Sequence, residues 1–164
     1  MDSILLQLSP AFSPKKNRLG ELDALLNQLS PRSVAVELRN RNWVEGDQLR
    51  ETTGFFRDHH VTLVSVDAPD SENFTVMPAI DVVTNPRVAY LRLHGRNERG
   101  YISGKSVAER FDYDYSEQEL EDLHERVNRL EVQADEVHVV FNNNRSNYAP
   151  KNAARFREML GQTV

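Results

Sequence analysis

Tyr90-Leu91-Arg92-Leu93-His94-Gly95-Arg96 reads as a buried strand that runs out into cationic side chains. Side chains alternate faces along a strand, so Tyr90, Arg92 and His94 share one side. Ala89, Leu91 and Leu93 share the other. A strand with a purely structural task has no reason to gather an arginine and a histidine at one end. Residues 4–8, 34–39, 61–67 and 136–142 repeat the pattern, each with an apolar body and a polar C-terminal end. In the second of these, Val34, Val36 and Leu38 face one way, and Ala35, Glu37 and Arg39 the other.

Between these segments lie amphipathic helices. Leu19, Leu22, Leu25, Leu26 and Leu29 fall at helical spacing and predict a helix that opens at Asn17 or Arg18 and ends at Pro31. A second helix is expected over 46–59, with Leu49, Thr53 and Phe56 inward. Ser116 with Glu119 forms a capping box ahead of Leu120, Leu123, Val127 and Leu130, so a third begins there. Pro150 suits the first turn of a last helix that stops near Gly161. The interval 68–87 reads as a long loop with short strand or helical pieces. The interval 97–115 reads as a loop over the mouth of a site.

Strand and helix therefore alternate, which predicts a parallel sheet with helices outside it. Both an open doubly wound sheet and a (β/α) barrel satisfy that order. The polar inward positions favour the barrel: in an open sheet Glu37, Arg39, Asp67 and Arg92 would press against apolar helix surfaces. At a barrel mouth they converge, where active sites of that fold lie. Length opposes a complete barrel, since eight units need about 250 residues and the chain has 164. The expectation is one domain, residues 1–164, forming a partial α/β parallel (β/α) barrel of TIM type with five strand units.

Composition sets the outer limits. Apolar residues make up 39% of the chain, enough for one core, and net charge is -5 with mixed signs. That balance argues against nucleic acid as a partner while leaving room for a local cationic pocket. No cysteine is present, which removes disulfides, thiolate nucleophiles and sulfur-ligated metals. No run approaches a membrane span and no secretory leader is evident, so a cytoplasmic protein is expected.

Several pieces of the chain resemble the YecE-like family, a domain of unknown function. They are residues 6–12, the run Val36-Glu37-Leu38-Arg39-Asn40-Arg41-Asn42-Trp43, the strand quoted above, Phe141-Asn142-Asn143-Asn144, and Ala149-Pro150-Lys151-Asn152-Ala153. The resemblance implies a TIM barrel of which this chain is the C-terminal portion, carrying five of eight strands. The family's opening glycine- and tryptophan-bearing strand and the lysine-bearing strand after it have no counterpart here. Asn40 stands where the family usually places a histidine. The family brings no settled biochemical function.

The candidate site gathers strand ends. Glu37, His94 and Asp67 are the expected catalytic groups. Glu37 would act as base, His94 as acid–base because imidazole titrates near neutrality, and Asp67 as its orienting partner. Arg39, Arg92 and Arg96 would hold an anion, since guanidinium matches carboxylate and phosphate oxygens. Gln7, Asn142 and Asn143 would bind hydroxyls, and Trp43 would stack over the site or plug the loop beneath it. Each has a plainer reading as an internal ion pair, turn residue or core filler. Glu37, Asp67 and His94 are also weak candidate ligands for a divalent metal such as zinc or manganese; no tight ligand spacing supports that set, and no cofactor is assigned. His138 is expected to be structural.

Two functions fit. One is a hydrolase or isomerase acting on a small phosphorylated or carboxylated, polyhydroxylated substrate by general acid–base chemistry. The other is a non-catalytic binding protein or remnant whose open sheet edges are covered by homo-oligomerisation.

Overall fold

The described residues hold six short strands: β1 Ser3–Gln7, β2 Ser33–Glu37, β3 Thr62–Leu63, β4 Ser65–Asp67, β5 Val88–Leu93 and β6 Glu136–Phe141. The computed structural model describes residues 3–162. Every pairing is parallel, and the ladders run in the orders β1-β2-β3 and β4-β5-β6. The expected third strand, 61–67, is divided at Val64. Its first part pairs with β2 and its second with β5, while the Val64 N–H still donates to Val36 O at 2.9 Å. The neighbours are staggered along this strand, as a strongly coiled sheet requires.

Helices α1 Asp23–Leu29, α2 Gly46–Asp58, α5 Glu117–Glu131 and α6 Tyr148–Met159 connect and cover the strands. One core joins Val34, Val36, Leu38 and Leu63 to Leu19, Leu22, Leu26 and Phe56. A second joins Leu91 and Leu93 to Leu120, Leu123, Val127, Leu130 and Phe156. The apolar parity expected for β2 and β5 is thus the parity that meets the helices. The Ser116–Glu119 capping box starts α5 with both reciprocal bonds made. Among the described residues no helix is long and apolar enough to cross a membrane.

Three expectations are corrected. The leucine-rich segment begins with a 3₁₀ turn, Leu19–Leu22, and Leu25 is 40% exposed because the buried arc is only wide enough for Leu19, Leu22 and Leu26. The interval 68–87 holds no strand or helix. It is tied down by Thr84 Oγ1, which accepts from Leu63 N and donates to Val61 O, both at 2.8 Å, so one side chain replaces a ladder partner. The interval 97–115 contains two short helices, α3 Glu98–Ser103 and α4 Val107–Arg110, capped by the Asn97 and Ser106 side chains. Neither is long enough to show an apolar period.

The sheet is curled. Arg92 of β5 donates from Nη1 to Gln7 Oε1 of β1 at 2.8 Å and from Nη2 to Asn142 Oδ1, just past β6, at 2.7 Å. In a flat sheet those two outer strands would stand about 19 Å apart. Here their ends meet at one guanidinium.

Candidate functional site

Register decides which side chains meet. Gln7 lies opposite Glu37, and Val66 opposite Arg92. Partners in a parallel ladder point to the same face. The face away from the helices therefore presents Gln7, Glu37, Arg39, Arg92 and His94 at the C-terminal ends of the strands. The first residue after β6, Asn142, joins them, held in line by its N–H bond to Leu93 O at 2.8 Å.

Glu37 is the centre. It is wholly buried, and it accepts from Arg92 Nη1 on one oxygen. On the other it accepts from His94 Nε2 at 3.2 Å, with Arg39 Nη1 at 3.5 Å. Asn142 settles the imidazole tautomer. Its Oδ1 accepts from Arg92, so its Nδ2 donates to His94 Nδ1, at 3.0 Å. His94 therefore carries its proton on Nε2 and keeps its lone pair on Nδ1. Phe111 stacks on the imidazole with centroids 5.1 Å apart.

Electrostatics follow from this packing. Burial by itself would raise the Glu37 carboxyl, but the His94 hydrogen bond and the Arg92 and Arg39 guanidiniums outweigh it and hold the group below its ordinary range. Burial pushes the His94 imidazole down. The bond and charge of Glu37 oppose that, Arg39 and Arg92 reinforce it, and the net shift is downward. The cluster thus consists of an ionised carboxylate, a neutral imidazole and two guanidiniums. It carries one positive charge more than it neutralises. Arg39 Nε and Arg92 Nε are buried without a hydrogen-bond partner.

Asp67 sits apart from this group. It lies opposite Leu93 in the ladder and so points to the helix face. It does not orient the His94 ring; its backbone carbonyl accepts the His94 N–H at 2.9 Å. Its carboxylate takes bonds from Arg96 Nη2 at 2.9 Å and Tyr115 OH at 2.7 Å, with Arg126 Nη1 at 3.7 Å. Arg96 also reaches Glu119 at 3.4 Å. The same Tyr115 oxygen accepts the Gly95 N–H at 2.9 Å. Gly95 has φ +85°, and a Cβ there would lie 2.5 Å from Tyr113 Cβ. The turn after His94 is thus pinned by the second cluster. Arg96, expected beside Arg39 and Arg92, belongs to that second cluster because it follows the turn.

Trp43 is buried under the loop after β2, stacked on Phe12 with its Nε1 donating to Phe12 O at 2.8 Å, so it plugs the loop. Asn143 is wholly buried and donates to Tyr113 O at 2.8 Å and Asn152 Oδ1 at 2.7 Å, joining α6 to the loop before α5. His138 shares the inner face with Tyr90, edge to face at 5.8 Å. Glu37 and His94 come together while Asp67 does not, so the suggested metal-ligand set is not assembled. Among the described residues no group of three or more potential ligands gathers elsewhere. Tyr101, Phe111 and Tyr115 were not among the residues expected at the site. Their only signal was the aromatic density of the interval 97–115.

Comparison with known proteins agrees with this architecture. A family profile described as "Protein of unknown function DUF72" matches residues 1–164. The chain is 32% identical over 161 residues to UPF0759 protein YunF of Bacillus subtilis (strain 168), covering 96% of this chain and 57% of that protein. Among solved structures it resembles a DUF72 family protein from Enterococcus faecalis V583, with TM-score 0.91, 30% identity and coverage of 99% of this chain and 59% of that one. A DUF72 family protein from Thermotoga maritima MSB8 gives TM-score 0.85 and 35% identity over 98% of this chain and 58% of that one. The chain spans under two thirds of the length of each of these relatives.

Proposed function

Because this chain belongs to the DUF72 family of proteins of unknown function, we propose its activity from the site itself. The site binds a small anionic, polyhydroxylated substrate, phosphorylated or carboxylated, and performs hydrolysis or isomerisation on it by acid–base chemistry. The observation that carries this reading is the buried Glu37–Arg39–Arg92–His94 cluster, with its excess positive charge and two unpartnered guanidinium N–H groups. Buried donors without acceptors are costly, and a bound oxyanion would satisfy both charge and hydrogen bonds.

In this reading His94 is the proton carrier. Its Nδ1 lone pair takes a proton from a substrate hydroxyl or a water that displaces the Asn142 amide. Glu37 stabilises the imidazolium that results and holds the ring in its tautomer. Gln7 and Asn142 bind hydroxyls. Sequential parallel strands, the curl at Arg92 and the relatives' greater length support the further proposal that these strands are the C-terminal portion of a TIM-type barrel, with the cluster at its mouth.

The test is a thermal-shift titration with inorganic phosphate and with phosphorylated and carboxylated sugars. Binding in the wild type that is lost in Arg39→Met supports the reading; the same small response in both overturns it. The half-exposed β1 and β6 beside a buried β2 favour a second reading, in which open edges drive self-association without catalysis. Size-exclusion chromatography across a concentration series tests that.

A further inference from the structure

The roof of the cluster comes from the interval 97–115, not from any strand. Tyr101 of α3 and Phe111 after α4 form with Val76 a small apolar cluster separate from the two main cores. Their rings meet edge to face at 5.9 Å, and Tyr101 also stands edge-on to His94 at 6.4 Å. The roof is braced within itself. Asn97 Oδ1 accepts from Gly100 N at 3.0 Å, and its Nδ2 donates to Glu109 O at 3.3 Å and Asp112 O at 3.1 Å. It touches the cluster through two side chains: Phe111 on the imidazole, and Tyr101, whose OH accepts from Arg39 Nη2 at 3.4 Å.

A phenol that accepts one hydrogen bond retains its own hydrogen to donate. No described residue takes that hydrogen, although Tyr101 is only 3% exposed. Burial keeps the phenol protonated by raising it above its ordinary range. Arg39 Nε and Arg92 Nε, in the cluster that the roof touches, are buried and unpartnered as well. Three buried donors without a protein acceptor, from α3, the loop after β2 and β5, would suit the several oxygens of one bound oxyanion.

We propose that Tyr101 is a ligand-binding residue of this site, donating its phenol hydrogen to the anion held by Arg39 and Arg92, and that anion binding fastens the 97–115 roof shut. The proposal rests on the anion-site reading above. On it, Tyr101 does two things: it senses whether the anion is present, and it converts binding into closure of the roof over His94.

The experiment uses the whole chain with inorganic phosphate as probe. Calorimetric affinity is measured for wild type, Tyr101→Phe and Arg39→Met, and trypsin cleavage after Lys105 and Arg110 is followed with and without phosphate. The expected result is about ten-fold weaker binding in Tyr101→Phe, as for one lost hydrogen bond to a charged group. Phosphate should slow cleavage of the wild-type roof several-fold and leave that of Tyr101→Phe almost unchanged. Binding lost in Arg39→Met but undiminished in Tyr101→Phe would overturn the role of Tyr101 while sparing the anion site. Phosphate that binds the wild type without protecting the roof would overturn closure, even where Tyr101→Phe folds poorly. No binding to any form would remove the anion site and this proposal together.

Discussion

Two ion clusters occupy the same strand ends and face opposite ways. The inner one sets Glu37 against Arg39 and Arg92, with neutral His94 between. The outer one sets Asp67, Asp81 and Glu119 against Arg96, Arg126 and Arg129, so its charges balance. Balance is what a clamp between strand and helix needs: Arg126 of α5 reaches Asp67, Asp81 and the Val66 carbonyl, the last at 3.0 Å. Imbalance in a buried place is costly for folding alone, which is why the inner cluster, and not the outer, is read as a ligand site.

The largest effect should come from unbalancing the inner cluster further. Glu37→Gln leaves two buried guanidiniums without their counter-charge and is expected to cost about 3–5 kcal/mol in urea unfolding. Added phosphate should recover part of that loss. Asp67→Asn should cost less, about 2 kcal/mol, because its partner Arg96 is half-buried and keeps Glu119. Phosphate should do nothing for it. Equal costs with equal phosphate response would erase the distinction between the clusters.

Acid sharpens the contrast next. The folded-state pKa of His94 lies below its ordinary 6.5 and that of Glu37 below 4.5, so in both cases the unfolded chain binds the extra proton. Stability is therefore full above pH 6.5. It falls as pH drops below that value and falls again below 4.5, each proton contributing a slope of at most about 1.4 kcal/mol per pH unit. Unfolding midpoints between pH 8 and 4 measure it. His94→Gln should remove the upper step, whereas Asp67→Asn should retain it.

Smaller effects concern how the outer cluster supports the inner. Tyr115→Phe removes the bond to Asp67 and the acceptor of the Gly95 N–H, for about 1–2 kcal/mol. The His94 ring resonances should shift with it, since Gly95 is the next residue. Ser116→Ala should cost about 1 kcal/mol by opening the capping box of α5. It should leave those resonances in place; movement of them would tie the cap to the site.

Much of this arrangement was legible in the residues. Period-two alternation placed Glu37, Arg39, Arg92 and His94 on one side of their strands, because a one-residue slip would have turned Leu91 and Leu93 away from the helices. Asp67 is the exception: expected at the mouth with Glu37 and Arg92, it lies instead on the helix face with Leu63. That placement needs the register between β4 and β5, which only pairing supplies. Tyr101 and Phe111 were hidden for another reason. Tyr101 lies in α3 and Phe111 just after α4, helices of one or two turns held by the Asn97 and Ser106 caps, so no apolar repeat announces them.

Local and periodic features follow from the residues alone: alternating strands and helices, the apolar stripes, the α5 cap, and the polar ends of the strands. Those depend on neighbours a few residues away. Packing of distant segments set the rest. It set the curl that brings Gln7 and Asn142 to one guanidinium, the division of charges between two faces, and the roof that covers His94. The difference is one of range: alternation follows from the backbone of a single strand, whereas charge balance and closure arise only once strands far apart in sequence are packed together.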